Sequence, residues 1–142
     1  MNIIIVYQLA LAVFLGALIG SEREYKRKRA GFQTYSLVTL GSCLFTIIAS
    51  EMVDFFFGRT GMAFDPVRVI QAIVLGISFI GAGAIFRHSS GITGLTTATG
   101  LWVAAGIGMT IGIELYCLAT FVTFLVLVIL FGFGWLETKI FK

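Results

Sequence analysis

Acidic side chains able to hold a cation are the first chemistry this sequence offers. Glu51 and Asp54 stand three residues apart, a spacing that puts both on one face of a helix, and Asp65 follows in the same polar region. Oxygen donors of this kind suit Mg²⁺, which typically takes one or two carboxylates and keeps several waters. The same pair also reads as two solvated carboxylates at a helix end, and both readings stay open here. Catalysis has less to work with. His88 is the only histidine, and neither a carboxylate nor a cysteine neighbours it in sequence, so it reads as a solvated loop residue. Cys43 and Cys117 form no CxxC pair and lie in apolar stretches, where each serves as a small apolar filler. Nucleophile, base and orienting group cannot be assembled on one side of such a chain, so no enzyme is expected.

The elements that must position these residues follow from where charge is missing. Residues 1–21, 30–50, 69–86, 88–113 and 115–136 contain no Asp, Glu, Lys or Arg. At a rise of about 1.5 Å per residue, each run is long enough as a helix to cross a hydrocarbon core of about 30 Å. Charged residues make up 12% of the chain and mean hydropathy is +1.02, which excludes a water-soluble domain. Continuous apolar runs also exclude a barrel, whose strands would alternate. The expected architecture is an all-α, polytopic transmembrane bundle: one domain over residues 1–142 with spans near 3–20, 34–55, 67–86, 95–112 and 115–136. Lipid is its first partner, and no nucleic-acid partner is expected.

Basic residues set the orientation, because Lys and Arg beside a span resist translocation. An external N-terminus and cytoplasmic C-terminus put Arg23, Lys26, Arg27, Lys28, Arg29, Arg87, Lys139 and Lys142 inside, against Arg59 and Arg68 outside. The first apolar run carries its cations after it rather than before it, so it is a retained span and not a signal peptide. Asp65-Pro66-Val67-Arg68 reads as the start of the third helix, with Asp65 capping and Pro66 at the first helical position; Arg68 opposes the helix dipole and needs an acidic partner. Glu114 marks a short turn between the last two spans. Thr93 or Thr96 is the expected cap of the fourth.

Small residues recur at helical spacing. Thr96, Gly100, Ala104, Gly108 and Gly112 form a ridge on the fourth helix, Ala12, Gly16 and Gly20 one on the first, and Ala72 and Gly76 lead to Gly81, Ala82 and Gly83 on the third. Such ridges let helix backbones approach closely in lipid. Ser42, Thr46, Ser50 and Asp54 add a polar stripe on the second helix, where hydroxyls can bond the carbonyl four residues back. A homodimer through the first or fourth ridge is an expectation of this pattern.

Five segments in order carry a family resemblance: Gly16-Ala17-Leu18-Ile19-Gly20-Ser21-Glu22-Arg23-Glu24, Ala30-Gly31-Phe32-Gln33-Thr34, Asp65 to Arg68, Ile80 to Gly83, and Thr93-Gly94-Leu95-Thr96-Thr97 through Trp102. Together they resemble the MgtC/SapB membrane proteins over residues 16–112. The resemblance implies a multi-pass protein of the bacterial inner membrane with a five-helix domain. It also implies a link to magnesium limitation and virulence, through binding of other membrane proteins such as the F-type ATP synthase rather than by carrying Mg²⁺. Longer members append a cytoplasmic domain, and the chain resembles the short, SapB-like form without it. The charged segment Glu22, Arg23 and Glu24, the Asp65 and Arg68 cap, and Gly81, Gly83, Gly94, Thr96, Thr97 and Trp102 are the site candidates it implies. Against the usual family pattern, Ser21 stands for Leu, Gln33 for Arg and Tyr35 for His, while Thr96 and Val103 replace an Asn and a Cys of MgtC. Two function classes follow: a regulatory or structural module that docks laterally on membrane proteins, or a Mg²⁺ or other cation-binding or transport protein.

Overall fold

The computed structural model describes residues 2–56, 65–89 and 91–140, with every side chain among them except those of Asp54, Glu137 and Thr138. The chain forms α1 (Ile3–Tyr25), α2 (Phe32–Phe56), α3 (Pro66–Gly83), a small hairpin of β1 (Phe86–His88) and β2 (Gly91–Thr93), α4 (Leu95–Gly112) and α5 (Tyr116–Val128). A π-helical segment, Ile129–Phe133, then leads into α6 (Gly134–Ile140), prolonging α5 so that Tyr116–Leu136 is one span. Among the described residues, five helices are long and apolar enough to cross a membrane, as the charge-free runs require.

Close backbone packing holds α2 between α1 and α4. A methyl group at Gly16 would collide with Thr39 Oγ1, one at Gly20 would come 2.7 Å from Phe32 Cα, and one at Gly112 would come 2.6 Å from Thr46 Cβ. Gly108 faces Ser42 Oγ and the Thr39 carbonyl just as closely. Van der Waals contact replaces the hydrophobic effect as the adhesive here, because lipid tails are as apolar as the helices. The glycines of the α1 and α4 ridges, Gly16, Gly20, Gly108 and Gly112, therefore face α2 within one chain. Thr96 is exposed and does not join the α4 seam. Gly76 and Gly83 have no neighbour in reach of an added Cβ, whereas Gly81 rests on Ala98.

The hydroxyl stripe is satisfied inside the bundle. Ser42 and Thr46 donate to the carbonyls of Val38 and Ser42 at 2.8 Å each, and Thr39 Oγ1 lies 2.7 Å from the Ala12 carbonyl of α1, an interhelical bond. Ser50 is exposed, and the side chain of Asp54 lies outside the described residues. α3 is the loosest helix and buries Ile77 and Gly81. Its start matches expectation: Asp65 accepts from Val67 N at 3.0 Å, Pro66 follows, and Arg68 Nε sits 3.9 Å from Asp65 Oδ2. α4 begins differently, since neither Thr93 nor Thr96 caps it. Gly94 does so in a left-handed conformation, φ 92°, where a side chain would strike the Ala84 carbonyl. Glu114 turns the chain into α5 at φ 65°.

Candidate functional site: a buried ionic centre

α1 does not stop where its apolar run stops. It continues through Ser21, Glu22, Arg23 and Glu24 to Tyr25, so the charged segment beyond the first span expected near 3–20 is helix, and Glu22 and Arg23 are buried in the bundle. Glu22 is 1% exposed and Arg23 3%. Burying such charges is tolerated only when they are paired. Lys26 Nζ lies 2.7 Å from Glu22 Oε1, and Arg23 Nη1 donates to Glu22 Oε2 at 3.4 Å. The Lys26 contact falls outside hydrogen-bonding directions, leaving Oε1 without a hydrogen-bond partner among the described residues, so its attraction is coulombic. Arg23 Nε also has no partner there.

Three charges, one negative and two positive, leave this centre with a net charge of +1, and the fifth span answers it. Lys26 Nζ donates to the Leu130 carbonyl at 2.6 Å. In an uninterrupted α-helix Gly134 N–H would serve that carbonyl, but here it bonds Phe131 O instead. The carbonyl that receives the ammonium belongs to the π segment, and the charge also lies 5.6 Å from the Phe131 ring centroid. Glycine at 134 makes the room, because a Cβ there would come 2.7 Å from Lys26 Nζ.

The remaining walls come from α2 and α4. Tyr35 is fully buried within electrostatic reach of Glu22 and Arg23, and its hydroxyl donates to the Thr97 carbonyl at 3.4 Å. Gly100 leaves space for that hydroxyl, where a methyl would collide. Glu24 acts separately: its carboxylate accepts from Phe32 N at 3.3 Å, capping α2 from the end of α1, and it fills the space above Gly31. At the opposite end of the bundle, buried Gln8 donates to the Ile111 and Gly112 carbonyls at 3.0 and 3.3 Å, serving the free carbonyls of α4.

Of the sequence-derived candidates, Glu22, Arg23, Thr97 and Gly100 meet at this centre. Asp65 and Arg68 pair with each other elsewhere, and both are exposed. Gly81 and Gly94 serve packing and turning, Gly83 and Thr96 are exposed, and Trp102 is 54% exposed. Sequence reading missed Lys26, Tyr35, Leu130 and Gln8 as members of polar contacts. A lone amide in an apolar run was the one available signal, and it marked Gln8. Glu51 is exposed at the far end of α2, and no group of three His, Cys, Asp or Glu gathers among the described residues.

These features define a multi-pass helical membrane protein whose basic end holds a buried, internally paired ionic centre. The chain belongs to the MgtC family, whose model matches residues 9–139. It is 37% identical over 125 residues to the Escherichia coli K12 protein named "Putative magnesium transporter YhiD", covering 88% of this chain and 58% of that one. It is 38% identical over 113 residues to protein SapB of Bacillus subtilis, covering 79% and 49%, and 38% identical over 122 residues to protein MgtC of Salmonella typhimurium 14028s, covering 86% and 49%. The chain spans about half the length of the curated relatives it matches. Length thus does not separate a SapB-like from an MgtC-like form. No solved structure matches the chain. Family and fold together make it a multi-pass protein of the bacterial inner membrane.

Proposed function

We propose that this chain is a regulatory or structural module that works by lateral binding to other membrane proteins, an ATP synthase-type partner being the one the family resemblance suggests. In this reading its basic end faces the cytoplasm, its N-terminus lies outside, and the chain carries out no catalytic step. One observation carries it: Glu22, the buried carboxylate among the described residues, is already neutralised by Arg23 and Lys26. Glu24, Glu51, Asp65 and Glu114 are exposed, so none of the acids whose side chains are described stands unpaired inside the bundle. α3, held by little more than Ile77 and Gly81, presents Leu75 and Phe79 outward at 75% and 84% exposure and supports lateral contact.

A photo-crosslinking residue at Leu75 or Phe79 tests the reading in native membranes. A discrete heterologous adduct is expected, absent when the probe replaces buried Ile107. Crosslinks to lipid alone from both α3 positions would contradict it. The second reading, a Mg²⁺ transporter, draws on the name of the E. coli relative. It requires Glu51, Asp54 or Asp65 to collect the ion, and Mg²⁺ is the cofactor those acids would suit.

A further inference from the structure

α2 and α3 diverge enough to leave a groove of about 780 Å³ running the depth of the bundle, floored by Ala105 of α4. Its walls grade in polarity. At the basic end stand Gln33 and Thr34, on the first turn of α2, whereas Met52 and Val69 line the other end. Ser42, midway, donates to its own helix and offers the groove no free proton. In a bilayer such a groove does not stay empty.

The turn that leads into this end of α2 is basic and held in place. Arg29, four residues before Gln33, stacks on Phe86 with its guanidinium carbon 3.9 Å from the ring centroid, joining the turn before α2 to the strand after α3. Arg27, Lys28, Arg29 and Arg87 are all exposed, and none forms an ion pair with an acid among the described residues. A stacked guanidinium keeps its N–H edge available and suits a phosphate oxygen better than an ammonium does.

We propose that this groove binds one anionic phospholipid, its phosphate on Arg29 and the Gln33 amide and one acyl chain between α2 and α3. Charge chooses the occupant: an apolar channel that ends in an amide, with unpaired cations in the turn leading to it, matches a molecule with an apolar tail and an anionic head. A zwitterionic lipid matches the channel but brings its own cation to the mouth. A helix from a second copy would match the channel and leave the cations unanswered.

Native mass spectrometry of the purified full chain, titrated with phosphatidylglycerol or phosphatidylcholine of identical acyl chains, tests this. The wild type is expected to retain a single phosphatidylglycerol severalfold more tightly than phosphatidylcholine. Arg29→Gln should weaken phosphatidylglycerol about fivefold, the effect of one basic residue at a membrane surface, and leave phosphatidylcholine unchanged. Gly41→Leu and Gly76→Leu each project a side chain from a groove wall into open space, so the bundle should fold and both lipids should be lost. Circular dichroism melting verifies folding, and either variant suffices alone. Equal retention of the two lipids by wild type, or lipid binding untouched by groove filling in a folded variant, would overturn the proposal. So would a dimer that Gly76→Leu dissociates without altering lipid retention.

Discussion

Glu22 is the residue on which the basic end depends. Substituting leucine leaves the buried Arg23 guanidinium and the Lys26 ammonium without their counter-charge, and breaking a buried pair from one side costs about 3–5 kcal/mol. Unfolding of Glu22→Leu in mixed detergent, followed by helical circular dichroism, should shift by that amount, and Lys26→Met by less, because Arg23 still answers the carboxylate. Glu24 contributes differently, through one cap. Glu24→Ala should lose about 1 kcal/mol, and Gly31→Ala a similar amount, because its methyl displaces the same carboxylate. The double variant should then lose no more than either single one. Additivity in that cycle would show that Gly31 and Glu24 act independently, against the geometry.

At the scale of elements, α2 is gripped on two sides by glycine seams while α3 is nearly free. Gly108→Leu should destabilise the bundle by about 1–3 kcal/mol or more, since the side chain meets backbone of α2 that cannot rotate away, while Gly106→Leu, one turn face over with nothing within 4 Å of an added Cβ, should be close to neutral. Thermal aggregation in detergent distinguishes the two. The spans themselves were legible because absence of charge over about 20 residues has one physical solution in lipid. The glycine ridges of α1 and α4 were legible as contact surfaces, but not their partner: spacing shows that a helix can approach, not which one does. The ionic centre was visible as the string Glu22, Arg23, Glu24 and hidden as a site, because charges at the end of an apolar run read as the edge of the membrane. Lys26 meets Leu130 of the π segment across 104 residues, a pairing invisible to periodicity. Strands of three residues, as in the hairpin after α3, are too short to leave an alternating pattern.

At the scale of the whole molecule, antiparallel rods gather the described cations other than Arg68 at one end: Arg29 meets Phe86 and Lys26 meets Leu130 there, while Gln8 and Gly112 meet at the other. If the basic end faces the cytoplasm, a cysteine at Lys28 should react with a membrane-impermeant maleimide only after the cell is opened, and one at Asp65 before. The reverse order would invert the proposed orientation. In the function proposed above, a bundle whose buried acid is internally neutralised binds partners and does not carry ions. Magnesium flux into liposomes tests it most directly, using purified full chain and an entrapped Mg²⁺-sensitive dye. Uptake no faster than in protein-free liposomes is the result expected; saturable uptake that Glu22→Gln or Asp65→Asn abolishes would contradict it.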